Sequence, residues 1–335
     1  MNKIDTFTGC TLFPIVINIE LTDQCPLHCP YCYKKLEMVN KLDFSFLSKV
    51  LKEFSAKGGR YVLLSGGEPL LYPQLIDAIR LCKKLNLRTA ISTSGFGIDK
   101  NSLDNLFKGG LGSLFISLNS HIQNVNSLSR DGYEFAINAM KLCQKLQVPY
   151  KINSVIRHDN IDYFPELIDF AKALGASGID LLSNKPNSRG ILESPLDDSD
   201  LKKLVYIFNE NKDYLSYQTC FTQLNAYFNK ISGNRNLNPF LKGCSAGKYS
   251  MAMFSNGLYA PCPHIFQGEE FPTIYSYWKN SENLTKYRKV GVLHDRGCIN
   301  CSYEDYCSPC LAFPIHSDCV LKFRGSDEKY ETVHI

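Results

Sequence analysis

The run Ile15-Val16-Ile17-Asn18-Ile19-Glu20-Leu21 and the segment that follows it, Cys25-Pro26-Leu27-His28-Cys29-Pro30-Tyr31-Cys32, decide how this chain is read. The first is a short, β-branched, largely apolar run that reads as a buried strand. The second puts three thiols on the loop at the carboxyl end of that strand. Three thiolates from one loop can hold three irons of a four-iron, four-sulfur cluster and leave the fourth iron open to a ligand, whereas clusters that only carry electrons usually have four cysteine ligands. A structural zinc site and a set of reduced thiols are the plainer readings. Zinc normally takes a fourth Cys or His at a matching spacing, and His28 lies inside the loop, badly placed to complete a tetrahedron with its own neighbours.

Outward from this loop, β-rich apolar runs alternate with amphipathic helical patterns, the signature of a parallel sheet covered by helices. Strands are expected at Ile15 to Leu21, Tyr61 to Ser65, Arg88 to Thr93, Ser113 to Leu118, Tyr150 to Ile156 and Gly178 to Ser183. Helices are expected near Phe44 to Ala56, Gln74 to Leu85, Leu103 to Phe107, Tyr133 to Leu146 and Tyr163 to Leu174. Six such units in right-handed succession curl into a partial (β/α)6, TIM-like barrel, whose chemistry belongs at the carboxyl ends of the strands. Beyond Lys185 the pattern gives way to Pro, Asn, Ser and Gly, then to helical stretches at Asp200 to Lys212 and Phe221 to Ile231. The expected division is a barrel over 13–190, a bridging region over 191–235 and a smaller, loop-rich, iron–sulfur domain over 236–335.

The formal charge is +4, from 37 basic and 33 acidic residues, with no basic block able to follow a phosphate backbone, so nucleic acid is not an expected partner. No apolar run approaches the roughly 20 residues that span a bilayer, and the start lacks a signal-peptide core. Membrane association is not expected, and a cytoplasmic setting is. In such a setting, 14 cysteines argue for metal ligation over a disulfide framework. Cys82 and Cys143 fall inside helical patterns and read as inert buried thiols.

The C-x3-C-x2-C loop, with Tyr31 at the aromatic position before the third cysteine, resembles that of the radical S-adenosylmethionine enzymes. The resemblance implies that Cys25, Cys29 and Cys32 hold a [4Fe-4S] cluster whose open iron chelates S-adenosylmethionine, and that reductive cleavage yields methionine and a 5′-deoxyadenosyl radical. The loop Ser65-Gly66-Gly67-Glu68-Pro69 follows the second strand. Paired glycines let backbone approach a ligand closely, although a glycine pair before proline is also a common turn. This loop resembles the family's GGEP motif, which implies that Gly66, Gly67 and Glu68 contact the methionine amino group. By the same resemblance Ser117, at the fourth strand end, and Arg130 hold the ribose and the carboxylate, for which an arginine fork is well shaped; a plain surface charge is the other reading of Arg130. Asn119 stands where many relatives carry aspartate. Ser94, Asn153, Val155 and Leu182 are expected to line the ribose and adenine site.

Cys244, Gly257 and Cys262 form one spaced unit, followed by Cys298, Cys301, Cys307, Cys310 and Cys319. Their order resembles the SPASM extension of the same superfamily, except that Cys307-Ser308-Pro309-Cys310 is one residue shorter than the usual C-x3-C. The resemblance implies one or two auxiliary [4Fe-4S] clusters, one on Cys298, Cys301, Cys307 and Cys319 and the other on Cys244, Cys262 and Cys310, the latter closed by Cys220, His264 or a carboxylate, or left open to substrate. Two zinc knuckles are the structural alternative.

SPASM relatives mostly act on peptides or proteins, so the expected function is maturation of a ribosomally made peptide by crosslinking or epimerisation. Expected partners are the peptide or protein substrate and an electron donor such as flavodoxin or ferredoxin. Because the barrel begins by residue 15, a leader-binding domain is not expected ahead of it; leader recognition would fall to the bridge, the SPASM surface or a separate leader-peptide-binding protein. In an epimerase Cys220 would be the hydrogen donor, against the readings of an inert thiol or a cluster ligand. The alternatives are an anaerobic sulfatase-maturing enzyme, which generates formylglycine, and a non-catalytic iron–sulfur scaffold. The first is weakened because Pro263 follows Cys262, where that family carries aspartate.

Overall fold

The computed structural model describes residues 4–5, 10–34, 40–231, 243–265 and 267–288, and positions 303, 306, 307, 310 and 312. A short antiparallel pair, β1 (Ile4–Asp5) and β2 (Cys10–Thr11), precedes the main sheet. All six expected strands form: β3 (Val16–Glu20), β4 (Tyr61–Ser65), β5 (Arg88–Thr93), β6 (Ser113–Ser117), β7 (Lys151–Ile156) and β8 (Ile179–Ser183), each parallel to the next. Three further strands extend this sheet. β9 (Leu215–Tyr217) adds parallel to β8, while β10 (Ser250–Met253) returns to pair parallel with β3 and carries the antiparallel β11 (Tyr259–Ala260). The order is β11-β10-β3-β4-β5-β6-β7-β8-β9, an open sheet rather than a closed barrel.

Period-2 alternation sorts each strand into two faces. Ile17, Ile19, Val62, Leu64, Ile91, Leu114, Ile116, Ile152, Ile179 and Leu181 are almost wholly buried beneath the helices. Burying each such side chain contributes about 1.5–3 kcal/mol. The opposite residues, among them Asn18, Ser65, Ser92, Phe115, Asp180 and Leu182, are only half-buried. Helices therefore cover one face, and the other is a less buried, partly polar surface.

The helices are α1 (Phe44–Ala56), α2 (Leu75–Lys84), α3 (Lys100–Gly109), α4 (Gln123–Ser127), α5 (Tyr133–Leu146), α6 (Phe164–Ala173), α7 (Asp198–Glu210), α8 (Thr222–Ile231), α9 (Ile274–Asn280) and α10 (Glu282–Arg288). In α2 the buried residues Leu75, Ala78, Ile79 and Cys82 follow the i, i+3, i+4, i+7 pattern of one apolar stripe. Cys82 and Cys143 are fully buried, as expected of inert thiols, and burial pushes both up to about 11. Helix starts are set by side-chain caps: Asp43 accepts from the Phe46 amide at 2.8 Å, and Asp99–Ser102, Asp197–Asp200 and Thr273–Ser276 make reciprocal capping boxes. α9 is also tied to α1, because the Glu53 carboxylate accepts from the Ile274 and Tyr275 amides at 3.0 and 2.9 Å. Among the described residues no helix is long and apolar enough to cross a membrane.

Candidate active site

The cysteine loop leaves the carboxyl end of β3 and is held from three sides. On the β4 side, the Gly67 amide donates to Thr22 O at 2.7 Å and the Glu68 amide to Gln24 O at 2.8 Å. This approach is possible only with glycine: a Cβ on Gly66 would lie 2.4 Å from Thr22 O, and one on Gly67 would lie 2.3 Å from Gln24 O. Gly66 also has φ +139°, in the region that favours glycine. The pair thus seats the GGEP loop against the root of the cysteine loop. On the β6 side, the Tyr31 amide donates to Ser129 O at 3.3 Å and the His28 amide to Asp131 Oδ2 at 2.9 Å. On the β8 side, the Ser188 amide donates to Cys32 O at 2.9 Å. The result is a fixed loop with Cys25, Cys29 and Cys32 half-buried.

Two opposite charges flank the thiols. Glu68 is 1% exposed, and four groups donate to its carboxylate: Thr93 Oγ1 at 2.7 Å and the Leu70 amide at 3.2 Å to Oε1, and the Ser94 amide at 2.9 Å and Ser94 Oγ at 2.5 Å to Oε2. Those four bonds fill a carboxylate's acceptor sites. Burial raises the Glu68 pKa against the pull of the Ser94 and Thr93 bonds. Arg130 donates from Nη1 to Tyr31 Oη, with its guanidinium carbon 6.0 Å from the Tyr31 ring centre. Burial pulls its pKa down, and nearby Tyr31, Cys29 and Glu68 outweigh that pull. Burial pushes the Tyr31 phenol up to about 12, so Tyr31 is neutral beside Arg130.

The expected ribose and adenine residues take different places. Ser117 sits opposite Asn153 across β6 and β7, and Val155 opposite Leu182 across β7 and β8. Asn153 Nδ2 donates to Ser92 Oγ at 3.1 Å, and its buried Oδ1 has no hydrogen-bond partner among the described residues. A buried acceptor left in this way, midway along a strand, suits a ligand hydroxyl. Ser94 is occupied in holding Glu68. Asn119 knits loops together: its Nδ2 donates to Ser129 Oγ at 2.8 Å and its Oδ1 accepts from the Val155 amide at 3.0 Å.

Sequence reading passed over a polar network at the end of β3. Glu20, 2% exposed, accepts from Tyr33 Oη at 3.0 Å and Lys34 Nζ at 2.8 Å, and Lys34 also reaches Asp23 Oδ1 at 2.7 Å. An acidic residue on the partly polar face of a buried strand was the available signal. The Tyr33 ring lies 4.2 Å, centre to centre, from the His264 ring. Burial first, then the charge of Lys185, pushes the His264 imidazole down to about 3.

Of the carboxyl-terminal cysteines, Cys298, Cys301 and Cys319 lie outside the described residues. Cys307 is half-buried against the core. Cys244 and Cys310 are buried neighbours that share a hydrogen bond, and this bond holds the Cys310 thiol well below its ordinary range. Cys262 is close enough to feel the charges of Cys310, Lys185 and Cys220. Lys185, also missed in the sequence, is 7% exposed, with Nζ 3.4 Å from Cys310 Sγ and 3.5 Å from Cys220 O. Cys220 Sγ donates to Gln218 Oε1 at 3.5 Å. Cys244, Cys262 and Cys310 are therefore brought together, with Cys220 alongside.

Residues 19–171 match the model of the Radical SAM superfamily. Over 178 residues the chain is 34% identical to a PqqA peptide cyclase from Methylobacterium nodulans, covering 50% of this chain and 46% of that protein; the chain thus aligns with about half the length of such relatives. The fold is that of Streptococcus suis SuiB bound to its precursor peptide SuiA (TM-score 0.78, 18% identity, 95% of this chain and 77% of that one). It is also that of anSMEcpe with bound AdoMet and the Cp18Cys peptide (TM-score 0.65, 16% identity, 88% of each chain).

Proposed function

We propose that this protein, whose residues 19–171 match the Radical SAM superfamily model, is a peptide-modifying enzyme of the maturase kind, forming a crosslink or an epimerised residue in a ribosomal peptide. The observation that carries this reading is the placing of Glu68 and Arg130 beside three cysteines at the carboxyl ends of parallel strands. That donor set suits the expected group: three soft thiolates for a [4Fe-4S] cluster, with opposite charges beside them for an amino acid zwitterion. Cys25, Cys29 and Cys32 would hold that cluster, which would supply the electron for reductive cleavage of S-adenosylmethionine.

The chain's own residues do the positioning. Arg130, steadied by Tyr31, binds the carboxylate; Glu68 supplies negative charge toward the ammonium and, through its four bonds, fixes Ser94 and the GGEP loop. Asn153 Oδ1 accepts from a ribose hydroxyl, Ser117 lies beside it, and Val155 and Leu182 give the adenine an apolar wall. The half-buried sheet face receives the peptide and keeps water from the reacting carbon. Cys244, Cys262 and Cys310, with Cys298, Cys301, Cys307 and Cys319, hold the auxiliary clusters. A reducing cytoplasm suits cysteines that ligate iron, and the electron comes from a flavodoxin- or ferredoxin-like protein.

The peptide substrate is inferred from the likeness to PqqA peptide cyclase and to SuiB bound to SuiA. The formylglycine-generating alternative is less supported, because Pro263 follows Cys262. Anaerobic incubation with the peptide encoded beside this gene tests the reading by mass spectrometry. A loss of two hydrogens indicates a crosslink, and a single deuterium gained from deuterated water indicates epimerisation, in which Cys220 is the donor. An unchanged peptide, despite turnover of S-adenosylmethionine, contradicts the substrate assignment; full epimerisation by Cys220→Ala removes Cys220 from the role.

A further inference from the structure

Lys185 lies two residues beyond β8, buried, with its Nζ on Cys310 Sγ at 3.4 Å and beside the Cys220 carbonyl at 3.5 Å. Taking an ammonium out of water costs several kcal/mol unless opposite charge compensates; a neutral thiol cannot do this, whereas Cys310 as a thiolate, 3.4 Å from Nζ, can. The same segment reaches the other cysteine site: Asn187 Nδ2 donates to Pro30 O at 3.4 Å, and the Ser188 amide to Cys32 O at 2.9 Å. The span 185–188 thus reaches both sets of cysteines, through the Lys185 side chain at one end and the Ser188 amide at the other.

We propose that Lys185 is a positioning residue for the carboxyl-terminal cysteine site, where its ammonium donates to Cys310 and offsets the thiolate charge of Cys244, Cys262 and Cys310, so that a cluster held there is reduced at a higher potential. This rests on the auxiliary-cluster reading given above. Net charge around a cluster and hydrogen bonds to its sulfurs are the main protein controls on its potential, and a buried positive charge favours the more negative, reduced state. Lysine suits the task because its three donors and point charge can rest on sulfur without competing as a bidentate fork.

The test uses full-length protein carrying Cys25→Ala, Cys29→Ala and Cys32→Ala, reconstituted anaerobically, so that only auxiliary clusters remain. The signal belonging to this site is the one lost on adding Cys244→Ala. Potentiometric titration followed by electron paramagnetic resonance is expected to give a lower midpoint potential for this signal in Lys185→Met and Lys185→Gln, and one near the parent's in Lys185→Arg. Loss of iron from the two neutral variants with retention in Lys185→Arg also supports the charge role. An unchanged midpoint in Lys185→Met overturns the proposal, as does loss of iron from all three variants, which would make Lys185 a packing residue. A parent protein with no bound iron and sulfide would instead defeat the auxiliary-cluster reading itself.

Discussion

Gly67 and Glu68 show how a motif can be legible while its physics is not. The GGEP stretch was readable as a site motif, yet the glycines admit the backbone of residues 22–24, where the sequence suggested room for a ligand. Such a contact joins residues more than 40 positions apart and leaves no local trace. Gly67→Ala is expected to destabilise the protein by about 1–3 kcal/mol through overpacking against Gln24 O, seen as a lower urea midpoint. Glu68→Gln turns an amide NH2 toward at least one of the donors on the carboxylate, costing about 1–3 kcal/mol. Glu68→Asp, too short to reach Ser94, should not restore the loss. Unchanged midpoints would mean that Glu68 acts on ligand alone. Arg130 and Asn153, expected from the sequence to contact ligand, carry groups a ligand could use, whereas Asn119, expected beside them, is spent on Ser129 and Val155.

At the scale of elements, the strands and helices of the barrel were legible because apolar periodicity and caps agree over each of them. β10 was not. Ser250-Met251-Ala252-Met253 has no β-branched residue, and it is a strand because β3 offers it an edge. The start of α7 carries a pH-dependent contact: Asp200, within the Asp197 capping box, bonds His158 Nδ1 at 2.7 Å. This bond, with the charge of Asp200, raises the His158 pKa above 6.5. Because the folded value lies above the unfolded one, the stabilisation is complete below about pH 6.5 and is lost as pH rises through the folded value. His158→Ala should therefore lower the melting temperature more at about pH 5.5 than at about pH 8.5, by a small amount because the imidazole is exposed. An equal loss at both pH values would deny His158 this role.

Across the whole molecule, the sheet is completed from both sides by chain that follows the sixth barrel strand, β9 on one side and β10 with β11 on the other. Trp278 Nε1 donating to Thr11 O at 2.9 Å, together with the Glu53 contacts to α9, locks the later segment onto the start of the barrel. A chain ended after residue 231 exposes the β3 edge and should aggregate or lose cooperative unfolding; a monomer that unfolds cooperatively would show that β10 is dispensable. The large-scale arrangement explains the function proposed: an open sheet with its three-cysteine loop at one end and further cysteines gathered at Lys185 beside β8. The most direct test of that account is reductive cleavage of S-adenosylmethionine by the anaerobically reconstituted protein, read as 5′-deoxyadenosine formed with dithionite. Wild type is expected to form it, and protein with Cys25, Cys29 and Cys32 replaced by Ala is expected to form none; cleavage that survives the triple replacement would contradict the account.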